Sequence, residues 1–354
     1  MRKLIIRTIV FVGSLFLTLP IQAVTEDSWI GLRTSRASWE AAVFNEIDKI
    51  RQANLQDAAL FAGTLLATPN DFFDYGSERY ALPLYEVTIN LAAGKSRPII
   101  TLGYGSTVSG LSSSGLSYIN SQTFNIVQES TTNEYHLFQS SKLKHITFDY
   151  DQEYFAFETG NRYLDALGFM YGINITRDEF NGSRINLGTA VIASGTFGSL
   201  GSPTQSDILS LGNTESNLTS ADVQLGLTYR LEVSTEFGLE AGAQFGGGQG
   251  ESNVILKTFS IVTLGSSSFP FESSSEYKSK GSVRTSRFYL GATYRLSESI
   301  AIHGRYSVAN LYYTPSSGTV KAGGLVQIEN PASGPFYTQK DKLSSVGVEF
   351  QFRF

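Results

Sequence analysis

The sequence predicts an all-β fold: a transmembrane, antiparallel, up-and-down β-barrel of about twelve strands with a short N-terminal helical extension. The first observation is the end of the chain, where apolar and polar side chains alternate with the period of an extended strand. The apolar row consists of Val346, Val348, Phe350, Phe352 and Phe354. The opposite row contains Glu349 and Arg353, so one face suits lipid and the other suits a wet lumen.

The second observation is the start of the chain. Arg2, Lys3 and Arg7 precede an apolar run that ends at Leu19, and the small residue Ala23 follows. This order predicts a signal peptide over residues 1–23 and therefore an exported chain. The run is too short to cross a bilayer as a helix, and no later stretch is long enough either.

Composition narrows the class further. The chain has no Cys, which excludes a lipid anchor on cysteine and a disulfide framework. The net charge of −5, which becomes more negative without residues 1–23, argues against a nucleic-acid partner. The mean hydropathy of −0.07 resembles that of a water-soluble protein, but half of each membrane-barrel strand also faces water.

The C-terminal strand resembles the last strand of bacterial outer-membrane β-barrel proteins, which typically ends in an aromatic residue, most often Phe. The resemblance implies that Phe350, Phe352 and Phe354 form a membrane-insertion signal read by the barrel insertion machinery. It also implies a location in the lipid of the bacterial outer membrane, and it identifies a broad class rather than one family. On this segment alone, the edge strand of a soluble sandwich is the alternative.

Two neighbouring runs predict a hairpin with a definite register. One apolar face contains Leu290, Tyr294 and Leu296, and the next contains Ile302 and Tyr306. A polar link over 297–299 reads as a short turn. Pairing across it sets Tyr294 opposite Ile302 and Leu290 opposite Tyr306, so one register directs both apolar rows to lipid.

Similar runs recur between Leu84 and Phe354, and their count predicts about twelve strands in a barrel over residues 84–354. The C-terminus faces the periplasm in the proteins that this chain resembles, so the short links near 232–236 and 297–299 are predicted periplasmic turns. The Ser- and Gly-rich links, roughly 198–220, 247–283 and 314–341, are predicted extracellular loops.

Residues 24–83 carry a different pattern. Trp39, Val43, Ile47 and Ile50 follow helical spacing, and Ser38 is a suitable N-cap. We therefore expect an N-terminal helical extension. It is either a periplasmic lead-in or a plug folded into the lumen.

Several charged residues fall on the inward face of the predicted strands. These lumen-lining candidates are Asp149, Asp151, Glu153, Arg230, Glu240, Arg295, His303, Arg305, Glu349 and Arg353. The three acids of 149–153 could bind a divalent cation or favour cations in a pore, and a solvated or ion-paired wall gives the same pattern. No metal site and no cofactor are expected.

No strong catalytic motif is present, and no Ser or Asp pairs with His303 by spacing, so the chain is not expected to be an enzyme. The leading functional expectation is a porin-like channel for small solutes. The alternative is a surface-exposed adhesion or ligand-binding protein that uses long extracellular loops on a closed scaffold. Expected partners are outer-membrane lipid, the insertion machinery, and small solutes or surface ligands.

Overall fold

The computed structural model describes residues 28–40, 80–92, 96–113, 121–123, 126–153, 167–196, 199–200, 204–264, 266–322, 326–328 and 339–354. The strands are β1 (Trp29–Glu40), β2 (Tyr80–Asn90), β3 (Ser96–Ser113), β4 (Ser121–Thr123), β5 (Ile126–Glu153), β6 (Leu167–Thr196), β7 (Ser199–Leu200), β8 (Thr204–Glu232), β9 (Phe237–Leu264), β10 (Ser267–Arg295), β11 (Ile300–Ala322), β12 (Val326–Ile328) and β13 (Gln339–Arg353). No helix in this part of the chain is long and apolar enough to cross a membrane. The predicted signal peptide, 1–23, lies outside the described residues.

The long strands close into an antiparallel barrel. Its order is β1-β2-β3-β5-β6-β8-β9-β10-β11-β13, and β13 pairs back with β1. The short strands β4, β7 and β12 are not part of this ring; they pair antiparallel with β5, β6 and β11, respectively. The up-and-down barrel is therefore confirmed, but its closed ring has ten described strands rather than about twelve.

The strand count was wrong because several strands are far longer than a membrane requires. β5, β6, β8, β9 and β10 contain 28 to 30 residues, whereas about 9–11 residues span a bilayer in a barrel. Much of the predicted loops at 198–220, 247–283 and 314–341 is strand, since backbone pairing on two edges needs no apolar row. When each strand is expected to have only the length that spans a membrane, one such long strand is counted as two.

The predicted N-terminal helix is wrong for the residues that should begin it. Ser38 and Trp39 lie in β1, which pairs with β13 on one edge and with β2 on the other. Inward residues of β1 alternate with outward Ile30 and Leu32, and this strand closes the barrel. The barrel thus includes Trp29–Glu40 rather than beginning at residue 84, while 41–79 lie outside the described residues.

Every strand of the ring turns an apolar side chain outward near the short turns. One such residue from each strand is Leu32, Val87, Leu102, Ile146, Tyr171, Leu225, Leu239, Leu290, Tyr306 and Val348, each at least 37% exposed. We call this ring the apolar belt, and the end of the barrel that carries the 233–236 and 296–299 turns the turn end. A continuous exposed belt of this kind suits contact with lipid.

Beyond the belt, away from the turn end, β6 and β10 carry charged side chains on the outer face and aromatic side chains on the inner face, which is the reverse of the belt. In β6, Tyr171 is an outward belt residue, but Arg177 further along is exposed and Phe180 is buried inside the barrel. In β10, Leu290 is outward in the belt, while Lys278 is exposed and Tyr277 is buried inside. The alternation keeps its phase, so this part of β6 and β10 turns a charged side chain to the outside and an aromatic one to the inside.

The predicted hairpin register is confirmed. Tyr294 pairs with Ile302 and Leu290 with Tyr306 in the β10–β11 ladder. The amide of Leu296 donates to the carbonyl of Ile300 over 2.9 Å and closes the turn. A strict apolar row on both strands permits only this pairing, because a one-residue slip would turn every belt side chain into the lumen.

Candidate functional site

Arg33 of β1 lies at the centre of a buried ion-pair network inside the belt. Its two terminal nitrogens contact Glu86 of β2 at 3.1 Å and Glu349 of β13 at 2.6 Å. The second oxygen of Glu86 is 3.1 Å from His145 Nε2 on β5. One guanidinium therefore ties the three strands around the closure of the barrel, and each carboxylate has a charged or polar partner.

A second set of contacts continues around the wall from Glu349. His303 of β11 places Nε2 3.2 Å from Glu240 on β9 and Nδ1 3.7 Å from Glu349. Arg230 of β8 contacts Asp151 and lies 3.9 Å from Glu240. Together the two sets form a charged ring, whose side chains come from β1, β2, β5, β8, β9, β11 and β13.

Inward glycines provide room for these large side chains. A Cβ on Gly291 would lie 2.4 Å from His303 Nε2 and 2.9 Å from Glu240 Cγ. A Cβ on Gly103 would lie 2.0 Å from the ring of His145, and one on Gly242 would lie 2.3 Å from the ring of Tyr289. Each side chain thus lies across the glycine of a neighbouring strand, along the wall rather than across the lumen.

We predict that Gly291→Ala lowers the free energy of unfolding by about 1–3 kcal/mol, because the methyl group displaces the His303–Glu240 pair. Urea unfolding of the refolded barrel measures this change. Gly304→Ala is the matched control on the next strand, since a Cβ there meets nothing within 4 Å. Equal stability of the two variants would show that Gly291 provides no needed space.

The charged ring surrounds a cavity of about 670 Å³. Its lining begins at Glu232 and Ser234 beside the turn end and reaches Trp39 and Asp341 beyond the belt. Because the wall side chains lie over glycines, the centre of the lumen at this level is space rather than side chain. We call this space the vestibule.

The vestibule ends at a layer of apolar side chains inside the barrel. Eight strands contribute to one contact cluster, whose members are Ala37, Trp39, Leu82, Leu84, Leu143, Phe180, Val254 and Tyr277, with Leu256, Val320 and Leu343 packed against them. Trp39, Phe180 and Leu82 are at most 1% exposed. In an open aqueous pore their inner faces would touch water, so this apolar layer closes the lumen.

The polar groups in the apolar layer are arranged to suit a dry site. The indole Nε1 of Trp39 donates to Asp341 Oδ1 over 2.7 Å. Asp178 is buried beyond the belt, and burial, together with the neighbouring Asp341 carboxyl, raises the pKa of Asp178 well above its usual range. A protonated carboxyl that hydrogen-bonds its neighbour costs far less to bury than two carboxylates.

The structure places the predicted lumen residues at two levels. Around the vestibule at the level of the belt lie Asp149, Asp151, Arg230, Glu240, His303, Arg305 and Glu349. Arg295 and Arg353 line the vestibule beside the turn end, where Arg295 donates to Glu232 over 2.9 Å. Glu153 ends β5, and its side chain lies outside the described part of the chain.

Of the predicted insertion-signal residues, Phe350 and Phe352 lie on the outer face of β13, and Phe354 directly follows the strand. Phe350 and Phe352 are each 48% exposed, and Phe354 is 58% exposed. The amide of Phe354 donates to the carbonyl of Ser28 over 3.1 Å. The three rings therefore belong to the apolar belt.

Sequence reasoning missed Arg33, Glu86, His145 and Arg287 of the vestibule. Arg33 falls within the predicted N-terminal extension, although Arg33, Ser35 and Ala37 alternate with outward residues. Glu86 lies between the outward residues Tyr85 and Val87. A list of the residues that lie between two successive outward residues of a strand would have included Glu86.

A ten-stranded closed ring, an apolar belt and a charged interior define a β-barrel of the bacterial outer-membrane class. No family model matches the chain, and no curated protein matches it. Among solved structures it is similar to the outer-membrane protease OmpT of Escherichia coli (9% identity, TM-score 0.37, 95% of this chain and 99% of that one). It is also similar to the Pseudomonas putida toluene transporter TodX (10%, 0.30, 92% and 89%) and to Acinetobacter baumannii CarO (10%, 0.21, 76% and 92%). These likenesses are too distant to carry an argument about function.

Proposed function

We propose that the protein is a gated channel for small solutes in the bacterial outer membrane. The observation that carries this proposal is the vestibule, a charged space of about 670 Å³ inside the membrane-level part of the barrel. A purely structural barrel of this width gains stability by filling its lumen with side chains. Here the large side chains lie over glycines along the wall, and this arrangement preserves a path for solutes and water.

In this proposal the apolar layer is the gate. Apolar constrictions stop ions by excluding water, and they conduct when the side chains move apart enough to be wetted. Trp39, Phe180 and Tyr277 extend from different strands into one cluster, so rotation of a few side chains opens a connection. The resting channel is therefore closed, and its openings are infrequent.

Conductance of the refolded mature protein in a planar bilayer tests the proposal. We expect discrete but infrequent current steps. Correctly folded barrels that give no steps at all would overturn the channel and leave a closed scaffold. A companion variant replaces 42–78 by a short turn, since Trp39 and Tyr80 are already paired neighbours in the β1–β2 ladder. More frequent steps in this variant would assign a blocking role to that segment.

The second candidate is a surface-binding scaffold, and the strand lengths favour it. Strands of 28 to 30 residues exceed a membrane span by roughly 18 residues, or about 60 Å of extended chain. Such a wall presents a large surface to ligands outside the cell. If the protein is a scaffold, shortening the β9–β10 hairpin should abolish its adhesion to surface ligands. If it is a channel, the same change should leave its conductance intact.

We also propose that Phe354 belongs to the insertion signal, with Phe350 and Phe352. Deleting Phe354 is expected to reduce the folded barrel in the outer membrane of cells by more than half. Refolding yield in detergent should stay unchanged, because the exposed ring adds little to stability. Phe237→Ala, an exposed aromatic residue beside the turn end on another strand, is the control. Equal membrane assembly of both variants would remove the signal role.

A further inference from the structure

We propose that the vestibule contains a binding site for a small anion with a carboxylate or phosphate group, formed by the guanidinium groups of Arg287 and Arg305. Both side chains line the vestibule. Arg287 lies on β10 and Arg305 on β11, on either side of Tyr289 along the same wall. The proposed ligand enters from the turn end, where the vestibule lining begins.

These two arginines differ from the other cations of the charged ring. Arg33 and Arg230 each contact two acids. Among the described residues, neither Arg287 nor Arg305 makes a salt bridge or a side-chain hydrogen bond with a carboxylate, and the buried Nε of Arg305 has no hydrogen-bond partner there. Guanidinium groups that line a cavity without such partners favour binding of an anion from solution.

The guanidinium of Arg305 is held in place without using its donors. Its carbon lies 3.9 Å from the centre of the Tyr289 ring. That ring in turn lies over Gly242, where a Cβ would be only 2.3 Å away. Because guanidinium N–H groups lie in the plane of the group, stacking on one face leaves them available to a planar or tetrahedral oxyanion.

Basic and acidic neighbours both act on the two guanidinium groups. Arg305 is repelled by Arg33 and by Arg287 and is attracted by Glu240, whose carboxylate is already 3.2 Å from His303. Asp149 attracts Arg287 and Arg305 electrostatically, while it accepts a hydrogen bond from Gln244 over 3.3 Å. An anion between the two guanidinium groups would relieve their mutual repulsion and use their free donors.

Calorimetric titration of the refolded full barrel with inorganic phosphate, and separately with acetate, tests the site. We expect one site per barrel for at least one of these anions, with affinity weakened about tenfold or more by Arg287→Gln and by Arg305→Gln. Arg287→Lys, which keeps the charge but loses the paired donors, should give an intermediate affinity. Arg295→Gln is the matched control, since Arg295 also lines the vestibule but already donates to Glu232.

No binding of either anion, or equal binding by the wild type and both Gln variants, would overturn the proposal. If Arg305→Gln does not refold, the comparison of Arg287→Gln, Arg287→Lys and Arg295→Gln still decides it. Binding requires only the vestibule and no conductance. A barrel that binds anions but never conducts would therefore contradict the channel and support the site. A barrel that conducts but binds neither anion would support the channel and contradict the site.

Discussion

Replacing both Trp39 and Phe180 by alanine is expected to change infrequent current steps into sustained conductance. The two rings are almost completely buried and belong to one cluster drawn from eight strands. Their removal opens space in the apolar layer, and a wider, less apolar constriction admits water. Single-channel recording of the double variant beside the wild type measures the open fraction directly.

The matched control for this variant is Phe245→Ala, which removes an aromatic ring from the outer face of β9. Phe245 is 58% exposed and packs edge-on against Phe288, with 5.5 Å between ring centres. Its loss should leave the open fraction unchanged. Circular dichroism confirms that each variant keeps its sheet, since core truncations of this size cost about 3–5 kcal/mol. A folded double variant with wild-type current would show that the layer is not the barrier.

Arg33→Met is expected to lower the free energy of unfolding by about 3–5 kcal/mol, the largest effect of any single charge removal considered for this barrel. The substitution keeps most of the side-chain volume but leaves Glu86 and Glu349 without their cation, and Glu349 is completely buried. Urea unfolding in detergent or lipid measures the change.

Arg36→Met on the same strand is the control for Arg33, because Arg36 is exposed on the outer face of β1. Its expected effect is below about 0.5 kcal/mol. Adding Glu349→Gln to Arg33→Met should recover part of the loss, since it removes one of the two unpaired charges. If Arg33→Met and Arg36→Met have the same stability, the central role of Arg33 in the charged ring is wrong.

The parts of the fold that the sequence could predict are those where one pattern fixes both local conformation and environment. The β10–β11 register follows from two apolar rows that must both face lipid. The inward positions of Glu240, His303 and Glu349 follow from the same alternation. Contacts such as Arg33 with Glu349, 316 residues apart, depend on barrel closure, which no local pattern encodes.

The apolar layer was missed although a signal for it exists. Along β6 and β10, apolar residues move from outward to inward positions where the strand passes beyond the belt. If lipid is expected outside each strand along its whole length, this exchange is interpreted as the end of the strand. Loops and extra strands are then predicted where one long strand continues. The exchange itself marks the boundary between a membrane-facing and a water-facing barrel.

A gated channel of this kind requires a dry apolar layer that separates the vestibule from the far end of the barrel. The chain has no Cys, so single cysteines report access without background. Thr293→Cys lies in the vestibule lining, and Lys278→Cys on the exposed outer wall beyond the belt defines orientation in vesicles. A membrane-impermeant thiol reagent should label Thr293→Cys rapidly from the turn end and far more slowly from the opposite side. Equal labelling from both sides, or none from the turn end, would contradict a vestibule that is open at the turn end and closed by the apolar layer.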